Sequence, residues 1–456
     1  MRKNESGDEI YSLIKKLYPI CRSITGNGVR KTLGIIKDII PINIYEVPSG
    51  TKVFDWVVPK EWNIHNAYIK NLKGKKILDF NKSNLYVLGY SLPIKKKIKL
   101  AELKKNLYTL PKYPNWIPYL TSYYNPSWGF CLSQKEYLSL KDEEYEVCID
   151  STLENGSLTY GELFIQGDLK QEILLSTYLC HPSLCNDNLS GVGLLTYLAK
   201  YLMEFKPHYS YRILFIPETI GAITWLSLNK NKIQNIKYGL VVTCVGDPGN
   251  LTYKKTRDGN SELDQIVKKV LDDSGEDYNL IDFFPSGSDE RQFSSPGINI
   301  QVGSLMRTIY GKYEEYHTSA DNLSFIESSF LDDSFKKYKE VLYLIENNNL
   351  YLNLNPQCEP NLGTKGIYSL IGGNKDEPLD KLALFWILNL SDGTNSLLDI
   401  SIKAKIKFSV IKNTADILSE KGLIKIYNSN GIKNQFNPYL KDEDFYKKAK
   451  EKFDLK

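Results

Sequence analysis

The stretch Leu174-Leu-Ser-Thr-Tyr-Leu-Cys-His-Pro-Ser-Leu-Cys-Asn-Asp-Asn-Leu-Ser-Gly-Val-Gly193 decides how the chain is read. Its apolar start has the composition of a buried strand that runs out at His181. Asp187 and Asn188 then precede an apolar segment, 191–205, with helical spacing. The chain holds only four histidines, so one placed at a strand end shortly before an Asp at a helix start carries information. A neutral imidazole and a carboxylate together suit a divalent ion such as zinc. Each also has a plain structural reading, a buried His satisfied by backbone and an Asp capping the next helix.

Outward from this stretch, strand-like and helix-like segments alternate from Tyr145 onward. The strands are read at 173–179, 211–216, 238–244 and 298–302, and the helices at 191–205, 220–228 and 261–271. Such alternation predicts an α/β fold, a mostly parallel mixed sheet flanked by helices. Chemistry in these sheets gathers where loops leave the carboxyl ends of the strands. His181, Asp187, Glu218 and Asp247 all follow apolar strands.

The flanking regions have other textures. Residues 10–17 and 28–40 carry helical spacing around the turn Cys21-Arg-Ser-Ile-Thr-Gly-Asn-Gly28. Short β-type runs punctuated by turns predict a small inserted β-rich domain over 44–128, leaving 1–43 and 129–355 as the main domain. Beyond a Pro/Gly-bearing linker, three short helices, a stop at Gly422 and a β-run at 423–427 predict a winged helix over 378–456.

With 456 residues, the chain is too long for one core. Hydrophobic residues at 42%, charged residues at 25% and a net charge of +4 describe an ordinary globular protein with no strong pull toward nucleic acid or membrane. The start, Met1-Arg-Lys-Asn-Glu-Ser-Gly-Asp-Glu9, lacks an apolar signal core, and no uncharged run approaches the roughly 18 residues of a membrane span, so a cytoplasmic protein is expected. Seven scattered cysteines without a CxxC pair are expected to stay reduced. Cys180 and Cys185 flank His181, which leaves a thiolate zinc site open as an alternative. The 32 tyrosines suggest clefts lined with aromatic hydroxyls.

Further candidates lie along the same sheet edge. In Phe215-Ile-Pro-Glu-Thr-Ile-Gly221, Glu218 stands where a general base would take a proton from water and pass it to a leaving amine. Asp247 in Cys244-Val-Gly-Asp-Pro-Gly249 is a further ligand candidate, although Asp-Pro-Gly is also ordinary turn chemistry. Tyr316-His-Thr-Ser-Ala-Asp-Asn322 supplies His317 as a second imidazole, with Asp321 able to orient it, whereas His65 and His208 read as surface or packing residues. Ser288, Asp289 and Arg291 form a polar loop suited to substrate contact. Arg307, Tyr310, Tyr313 and Tyr316 lead toward His317, where they would bind a carboxylate or an oxyanion.

With these residues assembled, the region from about 145 to 350 resembles the zinc-dependent aminopeptidases of the co-catalytic di-zinc clan. That clan includes leucyl-type bacterial aminopeptidases, glutamate carboxypeptidases and glutaminyl cyclases. Asp187-Asn-Leu-Ser-Gly191 and Tyr316-His-Thr318 carry the likeness. The resemblance implies His181, Asp187 and Asp247 on one zinc, Asp187 and His317 on the other, and Glu218 as base. More narrowly, the whole chain is similar to bacterial aminopeptidase-domain proteins associated with polysaccharide biosynthesis, through Cys21-Arg-Ser-Ile-Thr-Gly26, Val53-Phe-Asp-Trp56, Glu61-Trp-Asn63 and Gly287-Ser-Asp-Glu-Arg-Gln292. Two departures stand out. Thr219 occupies the position of the clan's ligand Glu, and Ser183 replaces the Asp that would orient the first His. One zinc is therefore expected more readily than two.

The function these residues imply is a zinc-dependent hydrolase of aminopeptidase type, acting on a small peptide, aminoacyl or amino-sugar substrate. A metal-dependent deacylase or amidohydrolase in polysaccharide or conjugate biosynthesis needs the same centre with a different pocket. A binding or regulatory protein that has lost turnover would instead use the winged helix, with nucleic acid as a partner through Lys403, Lys405, Lys407 and Lys412. No membrane partner is expected, and a homo-oligomer stays open.

Overall fold

The computed structural model describes residues 5–367 and 380–427. Residues 368–377 of the expected linker, and the parts of the expected winged-helix domain at 378–379 and 428–456, lie outside the described residues. The chain forms two compact units, 1–264 with 277–338 and 265–276 with 339–456.

The first unit is built on eight strands: β1 (Asn43–Pro48), β2 (Ser157–Ile165), β3 (Glu172–Tyr178), β4 (Ser210–Ile216), β5 (Ile236–Val242), β6 (Leu251–Lys254), β7 (Tyr278–Ile281) and β8 (Val302–Met306). They lie in the order β1-β2-β4-β3-β5-β8-β6-β7. The central strands β4, β3, β5 and β8 are parallel, as expected, while β1 and β2 add antiparallel strands on one side. Every residue of β3 and β4 is buried, which is why these strands read as continuous apolar runs. Tyr178 at the end of β3 is in register with Ile216 at the end of β4. The loops carrying His181 and Glu218 therefore leave the sheet side by side.

The helix Gly191–Leu202 packs on Glu5–Leu17, where Gly193 permits the approach, and Gly191 lets its start come close to β5. A Cβ on Gly193 would lie 3.0 Å from the side chain of Ile10, and one on Gly191 would lie 2.4 Å from the carbonyl oxygen of Val242. The expected strand at 298–302 is displaced to β8, because Asn299 takes a positive φ of 55° and turns the chain there.

A second, four-stranded antiparallel sheet has the order Lys76–Asp79, Glu61–Asn71, Glu144–Glu154, Ile94–Lys99. It encloses Ala67, Ile69, Val147, Ile149 and Phe130. The strand content of the 44–128 region is thus present, but Asn43–Pro48 belongs to the large sheet and Glu144–Glu154 to the small one. The early part of Glu144–Glu154 alternates buried and partly exposed residues, the pattern of an antiparallel strand with one wet face. Within the 44–128 region, residues 84–86 form a single 3₁₀ turn, Asn84–Tyr86, capped by Ser83.

The second unit contains the helices Lys381–Leu390, Leu397–Ala404 and Phe408–Glu420 with a three-stranded sheet, Asp392–Ser396, Leu350–Asn353 and Ile424–Ile426. Ser396 and Asp399 form a capping box on the second helix. Three helices and a final β-wing make the winged helix that the C-terminal pattern predicts. No described helix is long and apolar enough to cross a membrane.

Candidate metal centre

The turn between β3 and the helix Gly191–Leu202 is held by its own polar side chains. Asn188 donates from Nδ2 to Thr177 Oγ1 (2.9 Å) and to the Tyr178 carbonyl (3.0 Å). Asn186 Oδ1 accepts from the Gly246 N–H (3.0 Å), and Ser190 Oγ accepts from the Val245 N–H (3.0 Å). Asp321 accepts the N–H groups of Cys185 (3.1 Å), Asn186 (2.5 Å) and Asp187 (2.9 Å). Burial pushes the Asp321 carboxyl up to about 8 against these donors. Its work is to pin the turn, which replaces the expected role of orienting His317.

Asp187 is left with a carboxylate turned to the two histidines. Ligand atoms of His181, Asp187 and His317 lie within 4.8 Å of one another. Asp187 Oδ2 and His317 Nε2 are 2.9 Å apart, and the imidazole centroids are 5.2 Å apart. His181 Nδ1, Asp187 Oδ2 and His317 Nε2 are buried and lack hydrogen-bond partners. The short approach between the last two is therefore not a well-aligned hydrogen bond. Burial drives the His181 imidazole down to about 4, keeping it neutral. Burial raises the Asp187 carboxyl, but the two histidines and the Tyr178 hydroxyl outweigh it and hold the group at about 2. A neutral imidazole, an ionised carboxylate and unpartnered buried donor atoms fit a zinc-type divalent ion.

Glu218 stands beside this group, its Oε2 3.8 Å from His181 Nε2. Burial, then the nearby Asp289 and Asp187, raise its carboxyl well above the ordinary range. Thr219 has a positive φ of 63°. Its N–H donates to Asp289 Oδ1 (2.7 Å), and its Oγ1 accepts from Arg291 Nη2 (3.0 Å). The Thr219 hydroxyl is thus committed to Arg291. Asp289 and Arg291 lie near enough to Glu218 to act on its charge, each with one buried atom, Oδ2 and Nε, that has no partner. Tyr316 stacks on His317 with centroids 3.9 Å apart.

Further expectations change. Asp247 is not brought to the histidines. Its oxygens accept from the Gly249 N–H (2.9 Å), Asn186 Nδ2 (3.0 Å), and the Thr308 N–H and hydroxyl. The Asp-Pro-Gly turn closes on its own carboxylate, past the sheet edge. The residue directly after β5 is Thr243, whose Oγ1 is 2.8 Å from the Tyr178 hydroxyl, which in turn donates to Asp187 Oδ1. Arg307 is buried and donates to the Gly249 carbonyl (2.9 Å) and to Asp333 (2.6 Å), so it braces the same loop. Tyr310 meets Glu290 (2.9 Å) and Lys254 (2.8 Å), a buried ion pair, through its hydroxyl. Ser183, where the clan has an orienting Asp, donates to the Tyr18 carbonyl (2.6 Å).

Residues that the sequence did not single out complete the surroundings. Tyr119, from the inserted region, presents its ring edge-on to both His181 (5.2 Å) and His317 (5.1 Å). Its N–H donates to the His317 carbonyl (2.8 Å), and the Ser319 N–H donates to the Ile117 carbonyl (2.8 Å). Arg22, in the Cys21-Arg-Ser-Ile-Thr-Gly26 turn, is buried and donates from Nε to the His181 carbonyl (2.9 Å). The tyrosine count and that turn were the available signals, and neither gives a location.

Residues 11–348 match the family described as a domain of unknown function (DUF4910), and residues 349–426 match a winged helix-turn-helix family. A Clostridium acetobutylicum protein, named for polysaccharide biosynthesis with an aminopeptidase-like domain, is 60% identical over 423 residues, 93% of this chain and 97% of its own. The chain belongs to this aminopeptidase-like family. A crystal structure of a candidate peptidase from Clostridium acetobutylicum matches it with a TM-score of 0.89 and 58% identity, covering 93% of this chain and 97% of that one. A zinc aminopeptidase from Bacillus subtilis matches with a TM-score of 0.54 and 13% identity, over 74% of this chain and 95% of that one, a likeness of fold alone. The main fold is that of the zinc aminopeptidases.

Proposed function

We propose that the protein is a zinc-dependent hydrolase of aminopeptidase type that cleaves an N-terminal or amino-acid-like amide bond. The observation that carries this reading is the set of three buried, unpartnered ligand atoms on His181, Asp187 and His317. A zinc ion held by these residues would supply Lewis-acid chemistry, polarising an amide carbonyl and acidifying water. Glu218 takes the proton from the attacking water and returns it to the leaving nitrogen, a task suited to a carboxyl raised by burial. Asp289 Oδ2, without a partner, accepts a hydrogen bond from the substrate amine. Tyr119 and Tyr316, packed on the imidazoles, fix the rings and exclude bulk water.

Aminoacyl-anilide turnover is the direct test, with Glu218→Gln as the control. Loss of turnover in that variant with zinc content retained supports the reading; a zinc-loaded protein without turnover on any aminoacyl amide overturns it. The name of the Clostridium relative favours a second reading, an amidohydrolase acting on an amino-sugar conjugate. A nucleic-acid role is less well supported, because Lys412 on the helix Phe408–Glu420 is bound to Asp416 (2.6 Å).

A further inference from the structure

Because β3 and β4 are parallel and end in register, the loops that follow them run together. The Leu179 N–H donates to the Ile216 carbonyl (3.0 Å), and the Glu218 N–H donates to Cys180 Sγ (3.3 Å). This places a thiol, an imidazole and a carboxylate in one group: ligand atoms of Cys180, His181 and Glu218 lie within 4.8 Å of one another. Cys180 is 2% exposed and His181 7%, while the Glu218 side chain is 26% exposed and opens the group to solvent. Cys185, which the sequence also placed beside His181, belongs to neither ligand group.

We propose that Cys180, His181 and Glu218 form a second ion site, which shares His181 with the His181–Asp187–His317 group and is selective for thiophilic divalent ions. Sulfur, nitrogen and oxygen donors from three residues, with an open side at Glu218, make a four-coordinate zinc-type site with one exchangeable position. On binding, the thiol loses its proton to solvent, and the thiolate and carboxylate supply two negative charges to balance the ion. Filling the site takes Glu218 away from proton transfer. That consequence rests on the hydrolase reading; the existence of the site does not.

Cobalt(II) titration of the metal-stripped full-length protein tests it. A thiolate-to-cobalt charge-transfer band in the near ultraviolet is expected, retained in His317→Ala and lost in both Cys180→Ser and Glu218→Gln. The second substitution keeps the test decisive if the first fails to fold. Absence of the band from the parent protein and from His317→Ala, or its survival in Cys180→Ser, overturns the proposal. Failure of the hydrolase reading looks different: the visible cobalt bands would be indifferent to Asp187 and His317.

Discussion

Asp247 discriminates between a ligand and a loop clamp, and Asp247→Asn separates the two. The substitution keeps Oδ1, which serves the Gly249 N–H and the Thr308 hydroxyl, but turns Oδ2 into an amide nitrogen facing Asn186 Nδ2 at 3.0 Å. Two donors then oppose each other. Asn186 cannot relieve this by rotating its amide, because its Oδ1 already accepts from the Gly246 N–H at 3.0 Å. The loss of one hydrogen bond to a charged group, about 1.5–3 kcal/mol, and the orphaning of a buried donor, about 1–3 kcal/mol, give a destabilisation of about 4 kcal/mol. For a domain of this size that lowers the melting temperature by on the order of 10 °C. Calorimetry and metal analysis on the same preparation read both outcomes. The expected result is a lower melting temperature with zinc content unchanged; undiminished stability with zinc lost would return Asp247 to the ligand set and refute the argument.

Removing a ligand acts the other way. Zinc at a hundredfold excess over its Kd stabilises the parent by about 2.7 kcal/mol, and His317→Ala abolishes that increment in a zinc-dependent melting series. Tyr119→Ala weakens zinc binding by about tenfold in chelator competition while Tyr119→Phe does not, because the ring edge, not the hydroxyl, meets both imidazoles. The Arg30 guanidinium, 2.6 Å away, is the main cause holding the Glu61 carboxyl down at about 2, below its ordinary 4.5. The sign follows: this stabilisation is complete above about pH 4.5 and is lost as the pH falls toward 2. Discounted for the part-exposed Arg30, Glu61→Gln costs about 1–2 kcal/mol at neutral pH, and urea denaturation should find that difference shrinking between pH 5 and pH 3. A difference independent of pH would count against it.

The sheet edge was legible in the sequence because its determinants are local. Apolar runs ending in His181 and Glu218 report parallel, fully buried strands, and Asn186-Asp-Asn-Leu-Ser-Gly191 carries a side-chain hydrogen bond or a close backbone approach at nearly every polar or small position. Asp247 is ambiguous in the sequence for a reason equally local. A strand-end ligand and an Asp-Pro-Gly turn have the same composition, and only the hydrogen bonds to Thr308 and Asn186 tell them apart. The part played by Tyr119 was not legible, since its contact with His317 joins residues far apart in the chain through a single bridge between Pro118 and Thr318. The motifs Cys21-Arg-Ser-Ile-Thr-Gly26 and Glu61-Trp-Asn63 resembled those of the family without revealing their work. Arg22 holds the His181 backbone, and Glu61 ties Arg30 to the Ser157 N–H at 2.9 Å.

The proposal of one ion rather than two rests on charge. Near His181, Asp187 and His317, Thr219, which stands where the clan has a ligand Glu, is engaged with Arg291, and Thr243, directly after β5, is engaged with Tyr178. Asp187 alone therefore faces the ion with a negative charge, and two divalent ions on one carboxylate would leave a large uncompensated positive charge in a buried site. We propose one ion as the occupancy of that group. A second becomes affordable only with the Cys180 thiolate and the Glu218 carboxylate, and then at the expense of the base. Metal analysis should find one equivalent of zinc surviving dialysis, with any second equivalent lost on Cys180→Ser; two tightly held equivalents in that variant would contradict the charge argument.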